Sequence, residues 1–165
     1  MIGFLQRVSQ ASVTVDAEEV ASIAAGLLIL VCAERGDTPE QVKQLLTKIV
    51  HYRVFGDKDG KMNLSLLQMA ELSQNDNPAQ RLGLLLVPQF TLAADTRSGT
   101  RPSFTPAAPP EQGRALFELL VEQARACYGP VIEVQGAVFG ADMKVRLCND
   151  GPVSFWLETR KMSTS

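Results

Sequence analysis

The chain has 165 residues, of which 45% are apolar and 21% charged, and its 16 basic and 18 acidic side chains leave a net charge of −2. That composition excludes a disordered chain, a collagen-like repeat and a coiled coil. The longest apolar run, residues 26–33, is far short of the roughly 20 residues of a membrane span, and the charge lacks the basic excess of a long nucleic-acid footprint, leaving contact with a short nucleic-acid end open.

The first third reads as β-structure. Residues 2–8 make one strand, residues 12–16 alternate polar and apolar with period two, and residues 20–23 make a third. Residues 27–33 are apolar on both faces, which predicts a strand in the middle of the sheet. A helix follows: Thr38 caps it, Pro39 suits its first position and Gln41 completes a capping box. Val42, Leu45, Leu46, Ile49 and Val50 form its apolar stripe. Asp57-Lys58-Asp59-Gly60 is a turn, and residues 72–80 read as a polar surface loop. Residues 82–87 form another buried strand, ending at Pro88-Gln89-Phe90-Thr91. Residues 94–110 are irregular, and long irregular segments of this kind are often functional. A second amphipathic helix covers about residues 111–127, with Leu116, Phe117, Leu120, Ala124 and Cys127 on one face. Strands at 131–135, 144–148 and 153–157 close the chain. The expectation is a single α+β domain over residues 1–165: a curved, barrel-like β-sheet with two main helices against it.

Few residues offer catalytic chemistry. His51 is the only histidine, at a helix end where imidazolium suits the dipole, so a histidine-based triad must use it or do without. The histidine count excludes a His-rich metal site, and no clustered acidic motif suggests Mg²⁺. No phosphate-binding or dinucleotide-binding glycine motif appears, and no cofactor is expected. Cys32, Cys127 and Cys148 are too widely spaced for a disulfide framework or a CxxC site. Cys32 and Cys148, both in strands, read as small buried hydrophobes. The first ten residues lack a signal-peptide pattern, so reduced thiols, a cytoplasmic location and no membrane association are expected.

Three segments stand out. Pro88-Gln89-Phe90-Thr91 ends a buried strand, where side chains can project into a site. Residues 97–104 place Arg97 and Arg101 in a loop shaped by glycine and proline, either solvated or contacting phosphate or carboxylate. Asn149-Asp150-Gly151-Pro152 reads as a tight turn between two strands, and composition makes its Gly-Pro bond trans.

In order along the chain, Gln6-Arg7-Val8-Ser9, Ser12-Val13-Thr14-Val15, Lys61-Met62-Asn63-Leu64-Ser65-Leu66 and Gln89-Phe90-Thr91-Leu92 are followed by Ala94-Asp95-Thr96 and Arg101-Pro102-Ser103-Phe104. Phe139-Gly140-Ala141-Asp142-Met143 and Asn149-Asp150-Gly151-Pro152-Val153 complete the set. The set resembles the D-aminoacyl-tRNA deacylase family over nearly the whole chain. The resemblance implies a homodimer that hydrolyses the ester joining a D-amino acid, or mischarged glycine, to the terminal adenosine of tRNA. It implies that Gly151-Pro152 is cis, enters the partner's pocket and rejects L esters with its backbone. Gln89, Phe90 and Thr91 would line the ester end, with the ribose 2′-hydroxyl helping to activate water and amides near Phe90 binding the oxyanion. Phe139 and Met143 would line the adenine and aminoacyl pockets.

The chain departs from the family at Pro88, where serine is usual, and at Ser154, where threonine is usual. Its 72–80 segment is also longer and its tail runs on to Ser165. Two other readings stay open: a non-catalytic module binding an aminoacyl-tRNA end or nucleotide, and a Thr91-dependent esterase of small D-amino acid esters.

Overall fold

One long strand organises the molecule. In a computed structural model, which describes residues 1–76 and 81–159, the segments at 2–8 and 12–16 belong to a single strand β1, Ile2–Val15. β1 turns through Asp16 and Ala17, both at positive φ as a two-residue hairpin loop requires, into β2, Glu18–Ile23. One edge of β1 is shared by β3 (Gly26–Cys32), antiparallel to its first half, and β2, antiparallel to its second half. The other edge pairs along its length with β8, Met143–Glu158. β3 then pairs in parallel with β6 (Gly83–Pro88), and β6 with β7 (Glu133–Gly136). The doubly apolar β3 is thus interior, as its sequence predicts.

The sheet curls until β2 touches β6 and β7. At that closure Ile23 packs onto Gly83, where a Cβ would lie only 2.4 Å from Ile23 Cβ, so glycine is required by the approach. Val8, Val13, Ile23, Leu28, Leu85 and Val87 fill the barrel-like interior. The opposite face of the sheet presents Leu5, Leu27, Ile29, Leu84 and Leu86 to the helices.

The helices answer with matching stripes. α1, Pro39–His51, buries Val42, Leu45, Leu46, Ile49 and Val50, and its capping box forms as the sequence predicts. α3, Pro110–Tyr128, buries Leu116, Phe117, Leu120 and Ala124 but leaves Cys127 exposed, one turn past the buried stripe. No helix among the described residues is long and apolar enough to cross a membrane.

Two expectations are corrected, and one hairpin adds to the sequence reading. Residues 72–76 are helical, the end of a third helix α2, Leu66–Asp76; residues 77–80 of the expected loop lie outside the described residues. A second capping box starts α2, with Gln68 N–H donating to Ser65 Oγ and Ser65 N–H to Gln68 Oε1, while Leu66 and Ala70 anchor it in the core. The Asp57–Gly60 turn links a hairpin, β4 (Arg53–Gly56) and β5 (Met62–Ser65), that period-two patterning was too short to reveal. Asp57 Oδ1 accepts from the Asp59 and Lys61 amides, which hold this carboxyl below the usual carboxylate range. Finally, Asn149–Pro152 is no hairpin turn: β8 continues through it in one direction, and the four residues 150–153 bulge out of the ladder between the Val8–Asn149 and Gln6–Ser154 pairs.

Candidate active site

β3 and β6 run parallel, and both end at one cavity of about 610 Å³. Such a crevice, beyond the carboxyl ends of neighbouring parallel strands, is a common ligand position in sheets. Its walls come from the ends of β3 and β6, the turn after β6, the irregular segment near Phe104, the start of α3 and residues 139–145. Gln89, Phe90, Phe139 and Met143 are brought together there from segments some fifty residues apart. Pro88 also lines the cavity.

The turn after β6 is set locally. Gln89 N–H donates to Val31 O at 2.7 Å, extending the parallel ladder by one residue. Pro88 cannot donate to that ladder, and the chain folds over into a 3₁₀ turn, Phe90–Ala93. The Phe90 and Thr91 amides, first in that turn, have no acceptor among the described residues. Gln89 Nε2 donates to Thr91 Oγ1 at 2.6 Å. Thr91 itself is exposed and does not line the cavity. Cys32, beneath the turn, donates from Sγ to Phe90 O at 3.5 Å, and burial pushes its thiol up to about 11.

Phe139 is packed from two sides. It stacks at 6.3 Å against Phe117 of α3, and the Arg114 guanidinium lies 5.0 Å over its ring. Gly113 leaves room for it, since a Cβ there would sit 3.3 Å from Phe139 Cζ.

Among the described residues lining the cavity, Asp142 is the carboxylate, and both of its oxygens accept from Lys144 Nζ, at 2.8 and 2.9 Å. His51 is exposed at the end of α1, its Nδ1 2.9 Å from Thr47 O, and does not line the cavity. Among the described residues no three His, Cys, Asp or Glu side chains converge as metal ligands do. Cys148, expected to be buried, is exposed because it lies on the outward face of β8, just before the bulge.

Gly151 and Pro152 are exposed at the bulge and do not line their own chain's cavity. Their peptide bond is cis. Gly151 has φ 139°, and a Cβ would lie 2.6 Å from Val153 Cγ2, so only glycine fits without a shift. Asn149 staples the bulge: its Oδ1 accepts from Val153 N–H at 2.7 Å and its Nδ2 donates to Ser154 Oγ at 2.9 Å. Ser154 thus keeps a partner for its hydroxyl. Arg7, to which sequence reasoning gave no role, reaches across from β1, donating to Asp150 O at 3.0 Å and Val54 O at 2.6 Å. A side chain that clamps a backbone distant in sequence leaves no periodic signal.

Residues 4–158 match the model of the D-Tyr-tRNA(Tyr) deacylase family. A protein of Janthinobacterium sp. (strain Marseille), "D-aminoacyl-tRNA deacylase", is 56% identical over 160 residues, 97% of this chain and 98% of its own. One of the same name from Cupriavidus taiwanensis is 59% identical over 157 residues, 95% and 97% of the two chains. A solved structure titled "c-Myc DNA Unwinding Element Binding Protein" superposes with TM-score 0.85 at 33% identity, over 98% of this chain and 100% of that one. A "probable eukaryotic D-amino acid tRNA deacylase" shares the fold, with TM-score 0.73 at 17% identity over 96% and 98%. The fold and matched span define a deacylase, an ester hydrolase of aminoacyl-tRNA. The chain belongs to the D-Tyr-tRNA(Tyr) deacylase family.

Proposed function

We propose that the protein removes D-amino acids, and glycine attached to the wrong tRNA, from the terminal adenosine of tRNA while sparing L esters. The observation that carries this reading is the cavity itself. It joins a turn whose Phe90 amide is unused to an aromatic and thioether wall, at Phe139 and Met143, with no unpaired side-chain base between them among the described residues.

Ester hydrolysis builds negative charge on the former carbonyl oxygen. The Phe90 amide, at the cavity wall, is a fixed donor for that oxyanion, worth about 3 kcal/mol in the transition state. Water is activated by the substrate's own ribose 2′-hydroxyl, which accounts for a cavity that offers no histidine. Gln89, by holding Thr91, orients the turn. Phe139 and Met143 receive the adenine and aminoacyl groups.

Chirality is selected by a second protomer. Gly151-Pro152 stands exposed outside its own cavity, clamped by Arg7 and Asn149, and in a homodimer enters the partner's cavity. Without a Cβ at Gly151 its backbone carbonyls approach the substrate's α-carbon and leave no space for an L side chain. Glycine esters pass the same wall. Binding only the acceptor end suits a chain of net charge −2, working in the cytoplasm where tRNA is charged.

The test is ester loss from matched D- and L-tyrosyl-tRNA at catalytic protein concentrations. Rapid loss of the D ester alone supports the reading. Survival of both with binding intact favours a binding module, with Pro88→Ser as the next variant. Loss of both refutes the chiral wall.

A further inference from the structure

Among the described residues, Phe90 and Phe104 are the large apolar side chains that both line the cavity and stay exposed, at 57% and 39%. Their rings meet edge to face, centroids 5.0 Å apart at 69°. We infer that this pair is a stacking platform for the base preceding the terminal adenosine, a cytosine in tRNA, with Arg101 meeting the adjoining backbone phosphate. The inference rests on the proposed function and adds a second nucleotide to its binding site.

The segment that presents Phe104 is tied down on both sides. Before it, Ser103 pairs with Asp95 through reciprocal backbone bonds of 2.8 and 3.1 Å. After it, Thr105 O accepts from Arg35 Nε at 2.6 Å, Pro106 O accepts from Arg35 N–H at 2.9 Å, and Ala107 bridges Glu34. The ring is therefore held at the cavity mouth without regular secondary structure. A preformed aromatic edge costs little entropy to use in binding.

Charge on the same segment favours nucleic acid over an apolar peptide. Beyond the Asp95–Ser103 bridge the chain carries Arg97 and Arg101. Arg97 is neutralised by Asp95, 2.6 Å away, whereas Arg101 has no ion-pair partner among the described residues. An exposed aromatic pair with an unneutralised cation on the same segment is what an unpaired nucleotide asks for, because every base has a π-face and every linkage a negative charge. The platform also adjoins the proposed substrate site, since Phe90 lines the same cavity as Phe139 and Met143.

Binding of cytidylyl-3′,5′-adenosine and of adenosine 5′-monophosphate to the full chain, measured by calorimetry, tests this without relying on hydrolysis. The dinucleotide should bind about tenfold tighter, the scale of one base–aromatic stack. Phe104→Leu should abolish that advantage and Phe104→Tyr retain it, both at unchanged Tm. Arg101→Gln should weaken both nucleotides and flatten their salt dependence by about one phosphate contact. Equal affinity for the two nucleotides, or an advantage that survives Phe104→Leu, overturns the platform alone. Absence of binding by either nucleotide overturns the functional reading with it. If Phe104→Leu instead slows only esters of bulky D-amino acids, the rings serve the aminoacyl group and the inference fails.

Discussion

The Gln89 side-chain amide donates to Thr91 Oγ1 at 2.6 Å. That bond occupies an acceptor site on the Thr91 hydroxyl, and among the described residues no base accepts its proton. A hydroxyl in that state is a poor nucleophile. Thr91→Val should therefore leave kcat/KM for D-tyrosyl-tRNA within about tenfold of wild type, whereas losing a covalent nucleophile would cost about a thousandfold or more. Steady-state kinetics at low substrate decide between them.

Gly151 occupies a conformation and a space that admit no side chain. Gly151→Ala should displace the bulge and lower the D-over-L ratio of ester hydrolysis by about tenfold or more, the scale of a small misplacement near a reacting centre. Because the proposed wall acts on the partner, mixing Gly151→Ala protein with Phe139→Ala protein should restore selective hydrolysis through hybrid dimers. Failure of the mixture to exceed the sum of its parts would place the wall within one protomer.

Cys32 has its thiol pushed up to about 11 by burial, from about 9 when the chain is unfolded. The native state thus holds a proton that the unfolded state releases first. This contribution is fully present below pH 9 and is lost as pH rises to about 11. It should amount to roughly 2 kcal/mol across that window. Urea unfolding from pH 8 to 11, compared with Cys32→Ala, isolates it from the lysines and tyrosines that titrate in the same range. The thiol should also resist alkylation at pH 8 while exposed Cys127 and Cys148 react.

Gly83 closes the barrel against Ile23. Gly83→Ala forces a Cβ into that contact and should cost about 1–3 kcal/mol, read as a lower urea midpoint at unchanged slope.

Much of the architecture was legible because the core stripes are periodic. The apolar spacing from Val42 to Val50 and the Thr38–Gln41 capping box specify α1 locally, since each depends on residues within a turn of one another. The same local logic was present in Ser65 and Gln68, yet the polar run at 73–76 masked α2, whose stability comes from Leu66 and Ala70 reaching the core. Gln89, Phe90, Phe139 and Met143 were legible as candidates through the motifs that contain them.

Only the tertiary structure decided that those four residues share a cavity, that Thr91 stands outside it, and that the Asn149–Pro152 segment is a bulge in one continuous strand. A short Asn-Asp-Gly-Pro stretch satisfies both a hairpin and a bulge locally; pairing with β1 on both sides selects the bulge. Arg7 holds that bulge from a strand more than 140 residues away, and a contact of that range is set by how the sheet curls, which no local pattern encodes.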